Sequence, residues 1–245
     1  MRILFSQIFL RKQVSNNHIN SCDPSINIQL IKAKFKEYQP FHQPLLDFKP
    51  AAVIMLLYQR ENTLQFVMEV RSSKLTHHRG EISFPGGRFD PNVDHSLQET
   101  GLRETYEEIG VSPNQIEIWG QIDDIPMFTG YMIHPFIGYI RSNENLQFQL
   151  NIEEVSEILF VPITFFQNPL VAKKIEFDQF GIKHPVLSMD YFVESTKKHY
   201  NIWGASAHMI ARFMNIVYSQ DMFGPNYMRP TAEQINAVLK SNQKK

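Results

Sequence analysis

The stretch from Ser83 to Val111 constrains this chain more than any other. It reads Ser83-Phe84-Pro85-Gly86-Gly87, then a polar loop, then Ser96-Leu97-Gln98-Glu99 and a run of helix formers closing on Ile109-Gly110-Val111. Proline lacks an N–H and glycine accepts backbone angles closed to other residues, so Pro85-Gly86-Gly87 must end a strand in a tight turn. Ser96 followed by Glu99 has the form of a capping box, and Gly110 is a helix stop. The segment predicts strand, turn, loop and helix, with the helix over 96–109. Within it, Glu104, Glu107 and Glu108 lie three and four positions apart, which sets them on one face, opposite Leu102, Thr105 and Ile109.

Like charges at that spacing cost about 0.2–0.5 kcal/mol per pair, and only Arg103 adjoins them. Alone, such a run is an ordinary solvated helix face. A glycine turn just upstream, able to bring backbone close to a ligand, gives it another meaning. Carboxylate oxygens converging on a rigid helix suit a hard divalent cation, Mg²⁺ or Mn²⁺.

The remaining pattern alternates helix and strand. Ile28, Ile31, Phe35 and Tyr38 follow a helical rhythm that Gln39-Pro40 ends. Ala51–Tyr58 reads as a buried strand with Leu64–Arg71 as its hairpin partner. Further strands are expected at 82–84, 116–122, 134–141 and 155–161, a short helix from Pro162, and a strand pair at 174–180 and 186–194. Gly204–Tyr218 is amphipathic, with Trp203 and Phe213 packing it to the sheet, and a last short helix follows Thr231. The expected organisation is one α/β domain over 27–220, a flexible extension over 1–26 and a tail over 221–245.

Composition excludes several classes of function. Of 245 residues, 43% are apolar, which is enough for a core. Cys22 is the single cysteine, so an internal disulfide and a cysteine-rich zinc site are excluded. A net charge of -1 argues against gripping nucleic acid. No apolar run approaches the roughly 20 residues that cross a bilayer. Arg2, Arg11 and Lys12 precede the first acid, Asp23; a cytoplasmic location is the expectation, with mitochondrial targeting by this basic segment as the alternative. His77 and His78 are adjacent and would point to opposite faces of a strand; His134 and His208 read as structural.

Gly86-Gly87, the loop, and Arg103-Glu104-Thr105-Tyr106-Glu107-Glu108-Ile109-Gly110-Val111 resemble the Nudix box of the Nudix hydrolases. The resemblance implies the Nudix fold, a mixed β-sheet sandwiched between helices, and metal-dependent cleavage of a nucleoside diphosphate linked to another group. By position, Glu104, Glu107 and Glu108 become the metal ligands, and Arg103 the residue that orients a glutamate. His95 stands where the general pattern has another Glu, and the spacing from Gly87 to Arg103 is two residues longer. The coenzyme A diphosphatase subgroup shares both departures, with a lengthened, Asp-containing loop onto which Asp90 aligns and Asp94 approximately.

That subgroup's upstream motif is matched by Arg71-Ser72, Gly80 and Phe84-Pro85-Gly86-Gly87; its second Arg falls on Thr76, with Lys74 or Arg79 as substitutes. Thr129-Gly130-Tyr131, Glu153-Glu154-Val155 and Ile202-Trp203-Gly204-Ala205 are also similar. The implied substrate is coenzyme A or an acyl derivative, giving 3′,5′-ADP and (acyl-)4′-phosphopantetheine. Arg71, Lys74, Arg79 and Arg88, with Gly86 and Gly87, would face its phosphates, and Tyr131 would either pack in the core or stack on a base. The general base is Glu108, Glu154 or Glu153, ranked in that order. The alternatives are ADP-ribose, NADH or a dinucleoside polyphosphate as substrate, or a nucleotide sensor without hydrolysis. The expected partner is a small-molecule nucleotide; a homodimer is allowed, nucleic acid and membrane are not expected.

Overall fold

The computed structural model describes residues 28–60, 62–76, 78–141 and 146–242. The expectations for 1–26, including Cys22, and for His77 lie outside the described residues.

The elements run α1 (Ile28–Glu37), β1 (Lys49–Arg60), β2 (Thr63–Arg71), β3 (Ile82–Ser83), β4 (Gly86–Arg88) and α2 (Leu97–Ile109). Then come β5 (Ile116–Gln121), β6 (Ile125–Pro126), β7 (Tyr131–Ile140), β8 (Val155–Pro162) and α3 (Ile163–Phe166). The chain continues through β9 (Ala172–Gln179), β10 (Ile182–Val193), β11 (Lys198–Trp203), α4 (Gly204–Tyr218) and α5 (Ala232–Asn242). Eight strands form one mixed sheet around the order β3-β2-β1-β7-β5, with β4 beside β1, β6 beside β7 and β8 beside β2. Only β1 and β7 pair in parallel; the other ladders of this sheet are antiparallel. A smaller antiparallel sheet has the order β11-β10-β9.

The alternation of β1 explains the layers. Side chains two apart share a sheet face. Met55 and Leu57 join Phe35 of α1 and Phe213 of α4 in the largest apolar cluster. Ile54 and Leu56 meet Ile109 of α2, with Val67 and Ile140, in a second cluster. The sheet therefore lies between α1 and α4 on one side and α2 on the other, the α/β arrangement expected.

Two expectations need correction. The strand pair expected near 174–194 is a three-stranded sheet. β11 buries Tyr200 and Ile202 while Lys198, His199 and Asn201 face out, an alternation too short and too polar to mark a strand. Packing also continues past the boundary expected at 220. Ala232 and Ile235 of α5 are buried with Phe48, Phe128 and Met132 in a third cluster, so the tail packs on the domain. Two or three buried apolar side chains suffice to dock a short helix, and they leave little trace in a polar tail.

Phe66 sits at the centre of the main cluster, with ring centroids 5.4 Å from Phe84, 5.9 Å from Phe166 and 5.0 Å from Phe213. Phe66→Ala removes a fully buried ring that joins β2 to the glycine turn, α3 and α4. The expected loss is about 3–5 kcal/mol, measured by urea unfolding, with cooperative folding retained.

Candidate active site

The helix start is built as its sequence implies, with one shift. The Ser96 side chain accepts from the Glu99 N–H at 3.2 Å, but the Glu99 carboxylate accepts from His95 N–H at 2.8 Å, not from Ser96. The reciprocal bond is therefore made one residue earlier. Gly110 closes α2 in the left-handed conformation, φ 76°.

Both glycines of the turn permit close approaches. Gly86 has φ 152°, and a Cβ there would lie 2.3 Å from the Ala52 carbonyl oxygen. Its N–H donates to Glu108 Oε2 at 2.9 Å. A Cβ on Gly87 would stand 2.4 Å from the carboxyl carbon of Glu104. β4 thus lies between β1 and α2, with two carboxylates of the helix laid against it.

The three glutamates do not share one solvated face. Glu107 is exposed, Glu104 is half-buried, and Glu108 is buried. Four positions from Glu104 on the same side of the helix, Glu108 reaches beneath Gly86 instead of outward. There it meets Glu69 of β2, which is also buried. Burial, then the Glu69 charge, pushes the Glu108 pKa well above the ordinary carboxylate range; burial raises Glu69 too. Glu69 Oε2 is buried without a hydrogen-bond partner among the described residues, and two buried carboxyls beside each other disfavour double ionisation. Ser83 donates to Glu69 Oε1 at 2.8 Å, and Arg71 Nη1 stands 3.6 Å from that oxygen. Sequence reading missed Glu69; the available signal is an acid inside the apolar run Phe66-Val67-Met68-Glu69-Val70.

Arg103 is the hub of the outer side. Its Nη1 lies 2.9 Å from Glu104 and 3.0 Å from Glu107, and its Nη2 donates to the Arg88 carbonyl at 3.2 Å. Nε and Nη2 donate to the two oxygens of Asp94 at 2.8 and 3.0 Å, a bidentate pair. Asp94 also accepts from the Asp90 N–H and the Thr100 hydroxyl, both at 2.9 Å. The carboxylate missing at His95 is therefore supplied by its neighbour. Hydrogen bonds from Arg103 hold the Asp94 pKa at about 2, against the upward push of burial.

Of the residues expected to face substrate, Arg71, Gly86, Gly87, Arg88 and Tyr131 line one cavity of about 460 Å³. The Arg88 guanidinium lies 5.0 Å over the Tyr131 ring. Arg88 also lines a shallow groove with Asp90, Arg103, Glu104 and Glu107, so it joins the carboxylate face to the cavity. Lys74 and Arg79 are not part of the lining. Lys74 pairs with exposed Glu153 at 2.6 Å, and Arg79 donates to the Leu75 carbonyl. The loop after β2 turns outward and spends both cations on itself and on its neighbour. Glu153 is taken up by that pairing, while the Glu154 charge acts on both Glu69 and Glu104. The far wall comes from Phe177, Trp203, Tyr227 and Arg229; the last two lie in the expected tail, where sequence reading had no cue for them.

The NUDIX domain family matches residues 48–177. The chain belongs to the Nudix family. It is 31% identical over 169 residues to the mouse protein called peroxisomal coenzyme A diphosphatase NUDT7, covering 69% of this chain and 70% of that one. It is 33% identical over 165 residues to Nudix hydrolase 3 of Caenorhabditis elegans, covering 62% and 68%. A third relative, the chloroplastic Nudix hydrolase 22 of Arabidopsis thaliana, is 30% identical over 175 residues, covering 70% and 56%. This Nudix chain is a hydrolase of diphosphate bonds in small nucleotide substrates, and Nudix hydrolases generally work with divalent metal ions. No helix among the described residues is long and apolar enough to cross a membrane.

The residues present fit a divalent cation. The donors are hard carboxylate oxygens, and the space beside Glu104 is one that a Cβ on Gly87 would fill. Among the described residues no three metal-binding groups already converge, because Arg103 holds Glu104 and Glu107.

Two predictions follow from this geometry. Folding lowers the Asp94 pKa from 3.8 to about 2, so its contribution to stability is present above about pH 4 and is lost as the pH falls toward 2. Asp94→Asn is expected to cost about 2–3 kcal/mol at neutral pH, the lower end for a broken buried pair because Arg103 is partly exposed. Urea unfolding across pH should show wild type and variant converging in acid. Gly87→Ala should fold, since Glu104 can swing aside, yet lose metal-dependent turnover by about tenfold or more, read in a diphosphatase assay beside circular dichroism.

Proposed function

We propose that the chain hydrolyses the diphosphate of coenzyme A or its acyl derivatives, releasing 3′,5′-ADP and (acyl-)4′-phosphopantetheine. The observation that carries this reading is the join at Arg88. One residue lines both the carboxylate groove on α2 and the cavity of about 460 Å³. The upstream motif supports it, since Arg71, Phe84, Gly86 and Gly87 lie on the wall of that cavity. The name of the mouse relative points the same way.

Glu104, Glu107 and Glu108 are assigned to hold Mg²⁺ or Mn²⁺. When bound, the metal neutralises diphosphate charge and makes a coordinated water acidic enough to act as the nucleophile. Arg103 orients Glu104 and Glu107 while Asp94 fixes its own guanidinium. Arg71 and Arg88 bind the diphosphate oxygens left outside the carboxylate groove, Arg71 with the geometry to pair two oxygens at once. Gly86 and Gly87 let the backbone approach that group. Tyr131, beneath the Arg88 guanidinium, holds it against the cavity wall.

A carboxylate must take the proton of the attacking water. Glu108 Oε1 is the first candidate, because Gly86 N–H takes up Oε2 and leaves the other oxygen to accept. Glu154 is the second. Glu153 ranks last, since Lys74 neutralises it at the surface.

A Mg²⁺-dependent panel of coenzyme A, acyl-coenzyme A, ADP-ribose, NADH and dinucleoside polyphosphates tests the substrate. Coenzyme A or an acyl derivative should give the highest kcat/KM, with 3′,5′-ADP identified as product; preference for another member of the panel overturns the reading. Glu107→Gln, at an exposed position, should stay folded and lose about 10²-fold or more in kcat. Wild-type turnover in that variant would overturn the metal assignment.

A further inference from the structure

The cavity has a second cationic end that the diphosphate does not use. Arg229 lies between Tyr227 and α5, and its side chain lines the far wall. Among the described residues no carboxylate lies within ion-pair distance of it. Its Nη2 has only the Pro126 carbonyl at 3.4 Å and the Met127 sulfur at 3.8 Å. Arg229 is part-buried, and its guanidinium has five N–H donors that these two contacts leave largely unfilled. Burial accordingly pushes the Arg229 pKa below its ordinary value.

The same wall carries a second, independent donor set. Gly204, Ala205 and Ser206 line the cavity and form the first turn of α4. The residue before them, Trp203, makes no side-chain cap to their N–H groups. An uncapped first turn presents free amides and the positive end of the helix dipole. A cation without an anion and a helix start without a cap therefore border one space.

Position separates this end from the diphosphate end. Arg88 pairs with Ala51, Ala51 with Ile133, and Ile133 with Ile125, the neighbour of Pro126. Three strand spacings put the backbone at Arg88 about 14 Å from that at Ile125. Arg229 is held at Pro126, while the Arg88 guanidinium is held over Tyr131. Two cations fixed at separate places suit one ligand carrying two separate anions. Phe177 and Trp203 line the same cavity, with ring centroids 5.6 Å apart.

We propose that Arg229, with the first turn of α4, binds a phosphomonoester on the substrate's ribose, and so selects nucleotides that carry a phosphate besides the diphosphate. This deepens the coenzyme A reading and rests on it, since coenzyme A has such a phosphate on its ribose whereas ADP-ribose and NADH do not. Arg229 is a specificity residue and touches no reacting atom.

The test compares wild type, Arg229→Gln and Arg229→Lys on coenzyme A and 3′-dephospho-coenzyme A. Calorimetric binding of adenosine 3′,5′-bisphosphate and of AMP is measured alongside, without metal. Arg229→Gln should raise KM for coenzyme A about tenfold or more, leave kcat within about twofold, and leave KM for the dephospho substrate unchanged. It should also abolish the preference for adenosine 3′,5′-bisphosphate over AMP, and Arg229→Lys should restore part of both effects. Equal changes for both substrates, or none, overturn the proposal. If wild type cleaves neither substrate yet shows the Arg229-dependent binding preference, the substrate reading has failed and the phosphate site stands. If the Gln variant does not fold, the Lys variant decides: unaltered KM values and binding preference there overturn the proposal.

Discussion

The site depends on how closely β4 lies against α2. Gly86 lies where a Cβ would strike β1 and Gly87 where a Cβ would strike the Glu104 carboxyl, so Glu108 can accept the Gly86 N–H at 2.9 Å and Glu104 can lie over Gly87. That contact ties together the strand that ends the Phe-Pro-Gly-Gly run, the central strand β1 beneath it and the helix that carries the acids. A side chain at Gly86 would push β4 off β1, and one at Gly87 would displace the Glu104 carboxylate. The carboxylates would then lose their common reference.

Around that contact, charge is sorted by depth. Outside, Arg103 holds Glu104, Glu107 and the bidentate Asp94. Beneath the glycines, Glu108 and Glu69 share a buried space with Arg71 at its margin. The outer acids are compensated by a fixed cation, while burial raises the pKa of the inner pair. Both arrangements limit the repulsion among clustered acids. The formal charge of -1 reflects none of this, because it averages an acidic helix, an arginine hub and a cationic cavity.

Much of the fold was legible because it rests on local rules. The cap of α2, its glycine stop, the alternation of β1 and the limits of α4 each follow from a few neighbouring residues. β11 and α5 were harder to read, since a handful of inward residues in a polar context decides them. In the site, Arg71, Gly86, Gly87, Arg88 and Tyr131 do meet at one cavity. Lys74 and Arg79, equally close in sequence, turn away, because sequence distance along a loop says nothing about the direction in which it folds. Glu69 and Arg229 come from strand and tail positions far from the motif, and only tertiary contact brings them in.

The sequence alone determined the kind of chemistry. Helical periodicity places acids at one end of a capped helix behind a glycine turn, and that local geometry needs no knowledge of the rest of the chain. It also determined the layered α/β class through the period of its apolar residues. Tertiary structure decided which carboxylate is buried, which carboxyl pair has its pKa raised, and which arginines reach the cavity. Those outcomes depend on desolvation and on distances between residues remote in the chain, and neither quantity exists until the sheet, α2 and the C-terminal segment have packed together.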